Sequence, residues 1–342
     1  MNILITGAAG FIGSQLLHKL VNEGHNVIGL DNMSYGKEDN LLFEDGDYSK
    51  YVAYGDIRKK EDLKYIFDRV KFDYVYNIAG IAPLPDCQSD PCEAISVNLT
   101  GFVNVLEFCR QYGVKCVIQA STNAMYENEK SFPTFENNFN QPTLIYPNTK
   151  YCAERFAQSY CDTYGMNVCC VRFANVYGPH VDCLRKQPPF VGYLIRELYY
   201  NIVPVFHSDG NQSRDYIYID DLTDLLVKVQ DCKGFDTVNC SSNISYSVRE
   251  IYAIAQKIMK TNIEAKYVDS MEYWKKYPKL YEGAYSIKPE ILEHEVNKYS
   301  RCDNTHALAR YNWSPKVDIE EGMKRMIEYT VELFKKLSNN EN

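Results

Sequence analysis

The chain has 342 residues, 45% of them hydrophobic and 24% charged, a composition that suits a folded protein with room for two packed units. Its formal net charge of −8, with no cluster of Lys and Arg, excludes nucleic acid as a main partner, because a phosphate backbone demands concentrated positive charge. No run of about 18 apolar residues is present to cross a membrane, and "MNILITG" enters a strand without the regions of a secretory leader. None of the 12 cysteines has CxxC spacing, and Cys116, Cys169 and Cys170 sit inside apolar strand-like runs. That usage predicts reduced core thiols in a cytoplasmic protein, with no disulfide framework and no metal site.

Apolar strand-like runs at 2–6, 26–31, 51–55, 73–79, 114–121 and 167–174 alternate with segments of period near 3.6. The alternation predicts an α/β fold, a Rossmann-like doubly wound parallel sheet with helices on both faces. In "DPCE", Asp90 reads as an N-cap, Pro91 as the first helical residue and Glu93 as the partner of a capping box, with Gly113 closing the helix. Pro147 and Gly165 bracket the next helix, whose inward stripe is expected to be Ala153, Phe156, Tyr160 and Tyr164.

Beyond residue 176 the alternation loosens. Residues 216–231 read as strand then helix and 236–240 as a further strand, both expected to return to the main sheet. The expected division is a cofactor domain of 1–176 joined by 213–245, and a smaller α+β substrate-binding lobe of 177–212 and 246–342. A capping box from Ser247 to Glu250 opens one helix of that lobe, and the segment 269–300, rich in Tyr, Lys and Glu, carries the weakest pattern.

"NILITGAAGFIGS" places Gly7, Gly10 and Gly13 after a strand and at the mouth of a helix whose inner face carries Ile12, Leu16 and Leu20. Glycines there permit a tight turn, close approach to a pyrophosphate, and close packing of helix on strand. The helix N-terminus offers free N–H groups to the phosphates. The second strand ends in Asp31, where a carboxylate can bind both hydroxyls of an adenosine ribose and would repel a 2′-phosphate. NAD is therefore expected rather than NADP. Asp56, ending the third strand in "YGDIR", suits the adenine amine.

"YPNTK" sets Tyr146 and Lys150 one helical turn apart, and Thr122 ends the preceding strand; strand and helix ends converge at the cofactor edge of such a sheet. A free tyrosine has a pKa near 10, so a phenolate at neutral pH needs a shift of roughly 3 units, on the order of 4 kcal/mol. An ammonium nearby and an oxidised nicotinamide would both favour the anion. Tyr146 could then take a proton from a sugar hydroxyl while hydride leaves the same carbon, with Thr122 holding that hydroxyl in register.

With these motifs in place, the chain resembles the extended short-chain dehydrogenase/reductases, specifically the nucleotide-sugar epimerases and dehydratases. The resemblance covers nearly the whole chain. It includes "TGAAGFIG", "DNMSYGKEDNL", "YGDIR", "VNLTGFVNVLE", "ASTNAMY", "YPNTK", "VRFANVYGP", "SRDYIYIDDL" and "CDNTHALARYNWSPKV", in the family's order and spacing. It implies that Tyr146 is the base and acid, that Lys150 fixes the nicotinamide ribose and tunes Tyr146, and that Thr122 is the hydroxyl partner. It adds Phe11, Ile12, Asn32, Ile57, Ala79, Gly80 and Asn98 to the cofactor site and places Phe173 at the nicotinamide. Asn175 and Arg214 would grip the diphosphate of a nucleotide-sugar, with Phe206 and Tyr216 around the nucleotide. Helices 91–112 and 147–164, through which relatives dimerise, imply a homodimer.

In the 4,6-dehydratases that the chain resembles, Asp-Glu follows the active threonine to expel one hydroxyl and remove a neighbouring proton; Asn123 and Ala124 do neither. Decarboxylases of UDP-glucuronate carry glutamate at the second position, a role that Ala124 removes. Redox at one carbon survives, which suffices for C4 epimerisation of a UDP-hexose or UDP-N-acetylhexosamine through a 4-keto intermediate. The alternatives are a CDP-sugar 2-epimerase or a nucleotide-sugar 4-dehydrogenase/ketoreductase, since "STN" also resembles the tyvelose epimerase signature, and a non-catalytic NAD-binding regulator. Three departures stand out: "MYE" replaces Val-Tyr-Gly, the second diphosphate arginine is missing with Lys288 as its candidate substitute, and Ser300, three residues before Asp303, is small enough to admit an N-acetyl group.

Overall fold

Seven strands build the main sheet of the computed structural model, which describes residues 1–137, 139–185 and 188–340. They are β1 (Asn2–Thr6), β2 (Asn26–Asp31), β3 (Val52–Tyr54), β4 (Tyr74–Asn77), β5 (Cys116–Thr122), β6 (Val168–Phe173) and β7 (Phe235–Cys240). Their order is β7-β6-β5-β4-β1-β2-β3, and every neighbouring pair is parallel. The chain begins mid-sheet, runs outward to β3 and returns beside β1 as β4, so the order reverses between β1 and β4. β5 and β6 are buried along their whole length, which is why they read as near-continuous apolar runs.

The helices on this sheet include α1 (Phe11–Asn22), α2 (Lys60–Phe67), α3 (Phe102–Tyr112) and α4 (Ile145–Tyr164). Asp90 caps the short helix Pro91–Ile95 by accepting from Glu93 N at 3.1 Å, but the Glu93 carboxylate takes the Arg58 guanidinium at 2.7 Å, so the box is half made. A π-helical stretch, Ser96–Gly101, then leads into α3, which Gly113 closes at φ +71°. In α4 the inward stripe is Ala153, Ala157 and Cys161; Phe156 and Tyr164, expected inward, are 46% and 55% exposed. Small residues face the sheet because they let the helix lie close to it, and the aromatics are displaced to the flank, where Tyr160 OH reaches Glu107 on α3 at 3.3 Å. Leu4, Leu63, Val75, Phe102, Val105, Val117, Ala153 and Val168 share one continuous core.

The chain divides into two compact units: residues 1–173, 222–240 and 303–314, and residues 174–221, 241–302 and 315–342. Residues 236–240 return to the main sheet as expected. The strand Ser213–Tyr218 does not: in the second unit it lies between Asn175–Tyr177, parallel, and Ser245–Ser247, antiparallel. Local pattern marks a strand but not its neighbour, which long-range pairing chooses. The same unit holds the parallel pair Val205–His207 with Lys266–Val268, and a helix, Val248–Met259, opened by the full Ser247–Glu250 capping box. At the centre of its three-stranded sheet Asp215 is fully buried, accepting from Ser241 Oγ (2.7 Å), Ser242 N (3.0 Å), Ser242 Oγ (2.9 Å) and Cys302 N (3.2 Å). Burial still pushes its pKa up to about 6 against those four donors.

Near the start of β7, Asp236 lies 2.9 and 3.1 Å from His306 Nε2 and accepts from Tyr311 OH at 2.6 Å. The bond to Asp236 raises the imidazole above its usual 6.5. Burial opposes ionisation of Asp236, yet His306 and Tyr311 hold it below 3.8. The base contributes fully below its unfolded pKa and loses that contribution as pH rises through the folded value, whereas the acid contributes above its unfolded pKa and loses it as pH falls through the folded value. The pair is therefore strongest between about pH 4 and 6.5. His306→Gln should lower stability by about 1 kcal/mol or less at pH 6, the ring being partly exposed, and by less at pH 8.5. Equal losses in melting experiments at the two pH values would exclude the ion pair.

Candidate active site

Gly7 turns the chain at φ +69°, and a Cβ there would lie 2.7 Å from Ala79 N and Cα. On Gly13 a Cβ would lie 2.0 Å from the Gly7 carbonyl oxygen, and on Gly10 3.3 Å from the same atom. The first and third glycines are thus fixed by close approach of backbone to backbone. α1 begins after Gly10 with no side-chain cap and no acidic residue in its first turn, so its amides at Phe11 and Ile12 present positive partial charge uncontested by a carboxylate. This cradle fits a dinucleotide pyrophosphate.

Asp31 ends β2 with Oδ2 accepting from Ala9 N at 2.9 Å and Oδ1 from Met33 N at 2.8 Å. Burial raises its pKa while the two amides pull it down. The carboxylate is thereby tied to the glycine loop, and each oxygen keeps a further lone pair for a ribose hydroxyl. Beside it Asn32 Nδ2 donates to Asp56 Oδ2 at 2.9 Å. Arg58, absent from the sequence reading, forks onto Asp56 through Nε (3.0 and 3.1 Å) and Nη2 (2.7 Å), and this holds the Asp56 carboxyl down to about 2. Ile57 is buried next to it.

Beyond β4, Ala79 N reaches Thr6 Oγ1 at 3.3 Å, and a Cβ on Gly80 would crowd Asn98 Oδ1 (3.0 Å) and Lys150 Nζ (3.1 Å). Asn98, in the π-helical stretch, accepts from Ile81 N (2.8 Å) and donates to Ile81 O (3.0 Å) and Thr149 Oγ1 (3.1 Å). It holds the loop after β4 against α4.

Thr122 and Phe173 are register partners at the ends of β5 and β6. The Tyr146 ring packs on Ile81, Cys87 and Ala94, and the Thr122 hydroxyl lies close enough to act on its phenol. Thr122 Oγ1 also accepts from Ala124 N at 3.0 Å. Burial pushes the Tyr146 pKa up to about 12 although Thr122 pulls it down. Lys150, 5% exposed, is pushed down to about 8 by burial and donates from Nζ to the Ala120 carbonyl at 3.0 Å. The Lys150 ammonium reaches back to β5, and burial and Thr122 are the main influences on the phenol.

Beneath these groups lies a network that sequence reasoning missed. Ser121 Oγ donates to Glu154 at 2.6 Å, and Arg172 forks onto Glu154 through Nε (2.9 Å) and Nη2 (2.6 Å), both side chains being 3% exposed. Arg172 also donates to Tyr126 OH at 2.8 Å, which donates to Asn239 at 2.7 Å. The available signal was Glu154 four residues beyond Lys150, on the same helix face. Removing one partner of such a pair costs about 3–5 kcal/mol.

In the second unit, Asn175 Nδ2 donates to Asp215 O at 2.9 Å. Arg214 donates through Nη1 to Ser213 O at 3.2 Å and to Lys298 O, and through Nη2 to Glu295 O (2.9 Å) and Val296 O (3.3 Å), at the C-terminal end of helix Pro289–Asn297. Lys288 is the N-cap residue at the opposite end of that nine-residue helix. Burial raises Tyr216 to about 12, with Arg214 pulling down. Phe206, expected to face the nucleotide, is 2% exposed inside a cage of Phe190, Tyr252 and Tyr267 at 5.9, 5.1 and 5.6 Å. Strand alternation turns its neighbour His207 the other way, half-buried against Tyr273. Ser300 is buried, its Oγ meeting Asp215 N at 3.4 Å.

Among the described residues no cluster of His, Cys, Asp or Glu is arranged to hold a metal ion, and no helix is long and apolar enough to cross a membrane. Because the Cβ of Gly13→Ala would meet backbone rather than a flexible side chain, that variant should lose about 1–3 kcal/mol of stability and most of its retained NAD. Melting temperature and the nucleotide released on denaturation measure both, and a variant with unchanged NAD content would refute the cradle.

A profile of the NAD dependent epimerase/dehydratase family matches residues 3–240. The chain is 29% identical to a putative UDP-glucose 4-epimerase of Methanocaldococcus jannaschii, over 96% of this chain and 97% of that one. It is 29% identical to the UDP-glucose 4-epimerase of Mycolicibacterium smegmatis, over 96% and 98%. The crystal structure of UDP-glucose 4-epimerase with UDP-glucose from Thermotoga maritima superposes with a TM-score of 0.86 at 28% identity, over 98% of this chain and 100% of that one. With the glycine cradle, the Thr122–Tyr146 pair and the strand order all in agreement, the chain belongs to the NAD dependent epimerase/dehydratase family, and its cofactor is NAD.

Proposed function

We propose that this enzyme of the epimerase class inverts C4 of a UDP-hexose or UDP-N-acetylhexosamine through a 4-keto sugar. The observation that carries the reading is a Thr122 hydroxyl close to the buried Tyr146 phenol, with Asn123 and Ala124, not carboxylates, following it. NAD supplies the hydride acceptor and donor for one sugar carbon. Tyr146 takes the proton of the C4 hydroxyl and later returns it. A phenol at about 12 gives up its own proton first only if positive charge comes near, and Thr122, donating to the phenol oxygen, favours that anion. Lys150 keeps the end of β5 in place through Ala120 O and offers its remaining ammonium hydrogens to the cofactor ribose.

In a chain of net charge −8 the diphosphate needs a local cation. Arg214 fills that role by exchanging its contacts to the helix-end carbonyls for phosphate oxygens, with Asn175 on the same sheet. Support comes from the relatives named above, which are UDP-glucose 4-epimerases by description. Elimination lacks its acid and base at positions 123 and 124.

Incubation with a panel of nucleotide-sugars, followed by anomeric NMR signals, should show interconversion of one C4 pair with no accumulation of NADH. Net oxidation or a deoxy product would overturn the reading. Tyr146→Phe should lower kcat by about 10²- to 10⁴-fold while NAD stays bound; near-normal turnover would remove Tyr146 from the mechanism.

We further propose a cytoplasmic homodimer. All 12 cysteines are free, as a reducing compartment requires. The flank of α3 and α4 exposes Phe156 (46%) and Tyr164 (55%), with Ile95 (42%) on the helix before α3, an apolar face suited to a second copy. Light scattering should give twice the 39.5 kDa chain mass, and a single-chain mass would refute the dimer.

A further inference from the structure

Thr122 caps the short 3-10 turn Asn123–Tyr126, and that turn ends at Glu127. Glu127 is 5% exposed, an unusual place for a carboxylate. Its Oε1 accepts from the amides of Thr143 and of Leu144, the latter at 2.8 Å. Leu144 is the N-cap of α4 and provides no side-chain cap of its own; the next amide, Ile145 N, goes to Gln88 Oε1 at 3.1 Å. Tyr146 follows in the first turn of that helix. One carboxylate therefore joins the turn that issues from Thr122 to the backbone that delivers Tyr146.

We propose that Glu127 is a positioning residue for the epimerase reaction, setting where Tyr146 stands relative to Thr122 through the amides at the start of α4. Its contacts to the amides of Thr143 and Leu144 act on the backbone and not on the reacting hydroxyls. The covalent path from Thr122 to Glu127 is a single tight turn, and Tyr146 lies two residues beyond Leu144. Movement of the helix start thus becomes movement of the phenol against the threonine. A carboxylate suits this place because helix N-termini attract negative charge and their amides lack intrahelical partners. The adjacent Asn128 provides a natural contrast. Its Nδ2 donates to Gln141 O (2.7 Å) and Thr143 Oγ1 (3.0 Å), closing the same surface loop without touching the helix amides.

The proposal rests on the function proposed above, and the experiment separates the two. Glu127→Ala, Glu127→Gln and Asn128→Ala would be made in the full-length, NAD-bound protein. Each would be compared with wild type for kcat and KM on UDP-glucose and UDP-galactose, and for hydrogen–deuterium exchange at residues 143–146. Glu127→Ala should lose about 10- to 100-fold in kcat, the scale of a small misplacement of reacting groups, with KM nearly unchanged and faster exchange at Thr143 and Leu144. Glu127→Gln, whose amide oxygen can still accept, should recover most of the loss, and Asn128→Ala should match wild type. Wild-type kcat in Glu127→Ala, or an equal loss in Asn128→Ala, overturns the assignment. If the wild type turns over neither these sugars nor their N-acetylated forms, the proposed function fails by itself, and unchanged exchange at 143–146 in Glu127→Ala then overturns the assignment of Glu127.

Discussion

An ammonium taken out of water must find oxygen, and Lys150 finds the carbonyl of Ala120 at 3.0 Å. That contact ties the middle of α4 to the end of β5. Glu154, one turn further along the helix, takes Ser121 at 2.6 Å, and Tyr146, one turn back, meets Thr122. Three consecutive strand residues are thus held by three residues spaced one helical turn apart. Strand and helix are both stiff, so the separation of the two reactive hydroxyls is set by secondary structure and not by flexible side chains. The cost appears as a Lys150 pKa pushed down to about 8 by burial and as a desolvated Glu154 that Arg172 must neutralise.

The division of labour follows from charge. In a chain of net charge −8, a cofactor carrying phosphates needs locally placed donors. The first unit offers backbone suited to that need: the amides at the start of α1, with glycines whose Cβ atoms would collide with neighbouring main chain. Its carboxylates there are tied up, Asp31 by the glycine loop and Asp56 by Arg58. The second unit carries a cation, Arg214, held on a strand whose next residue, Asp215, is locked by four donors. Arg214 and Tyr216 share one face of that strand and Asp215 takes the other, so the buried acid fixes the strand while its neighbours stay turned toward the opposite side.

Chemistry that borrows and returns a hydrogen asks little of side chains beyond a proton carrier and its alignment. No carboxylate follows Thr122, which ends β5 ahead of Asn123 and Ala124, and burial pushes the Tyr146 phenol up to about 12. The carboxylates nearby serve as structural ties, Glu154 to Arg172 and Glu127 to the start of α4. Redox at one carbon and not elimination is the chemistry this arrangement suits.

Much of this protein was determined by sequence alone, because the deciding signals are local. Glycine spacing after β1, the Asp90 and Ser247 caps, Gly113 and Gly165 at helix ends, all seven sheet strands and the Tyr146–Lys150 spacing act within a few residues of themselves. What only the tertiary structure decided involves partners far apart in the chain. Tyr126 meets Asn239 across 113 residues, Arg214 meets the carbonyls of 295–298 across some eighty, and the strand 213–218 takes neighbours outside the main sheet. The same holds for Phe206, an aromatic on a short strand that local pattern could place toward a ligand or into a core, and that three surrounding rings claimed. Hydrogen bonding and burial are settled by what the folded chain brings within about 3 to 4 Å, and spacing along one segment does not encode that.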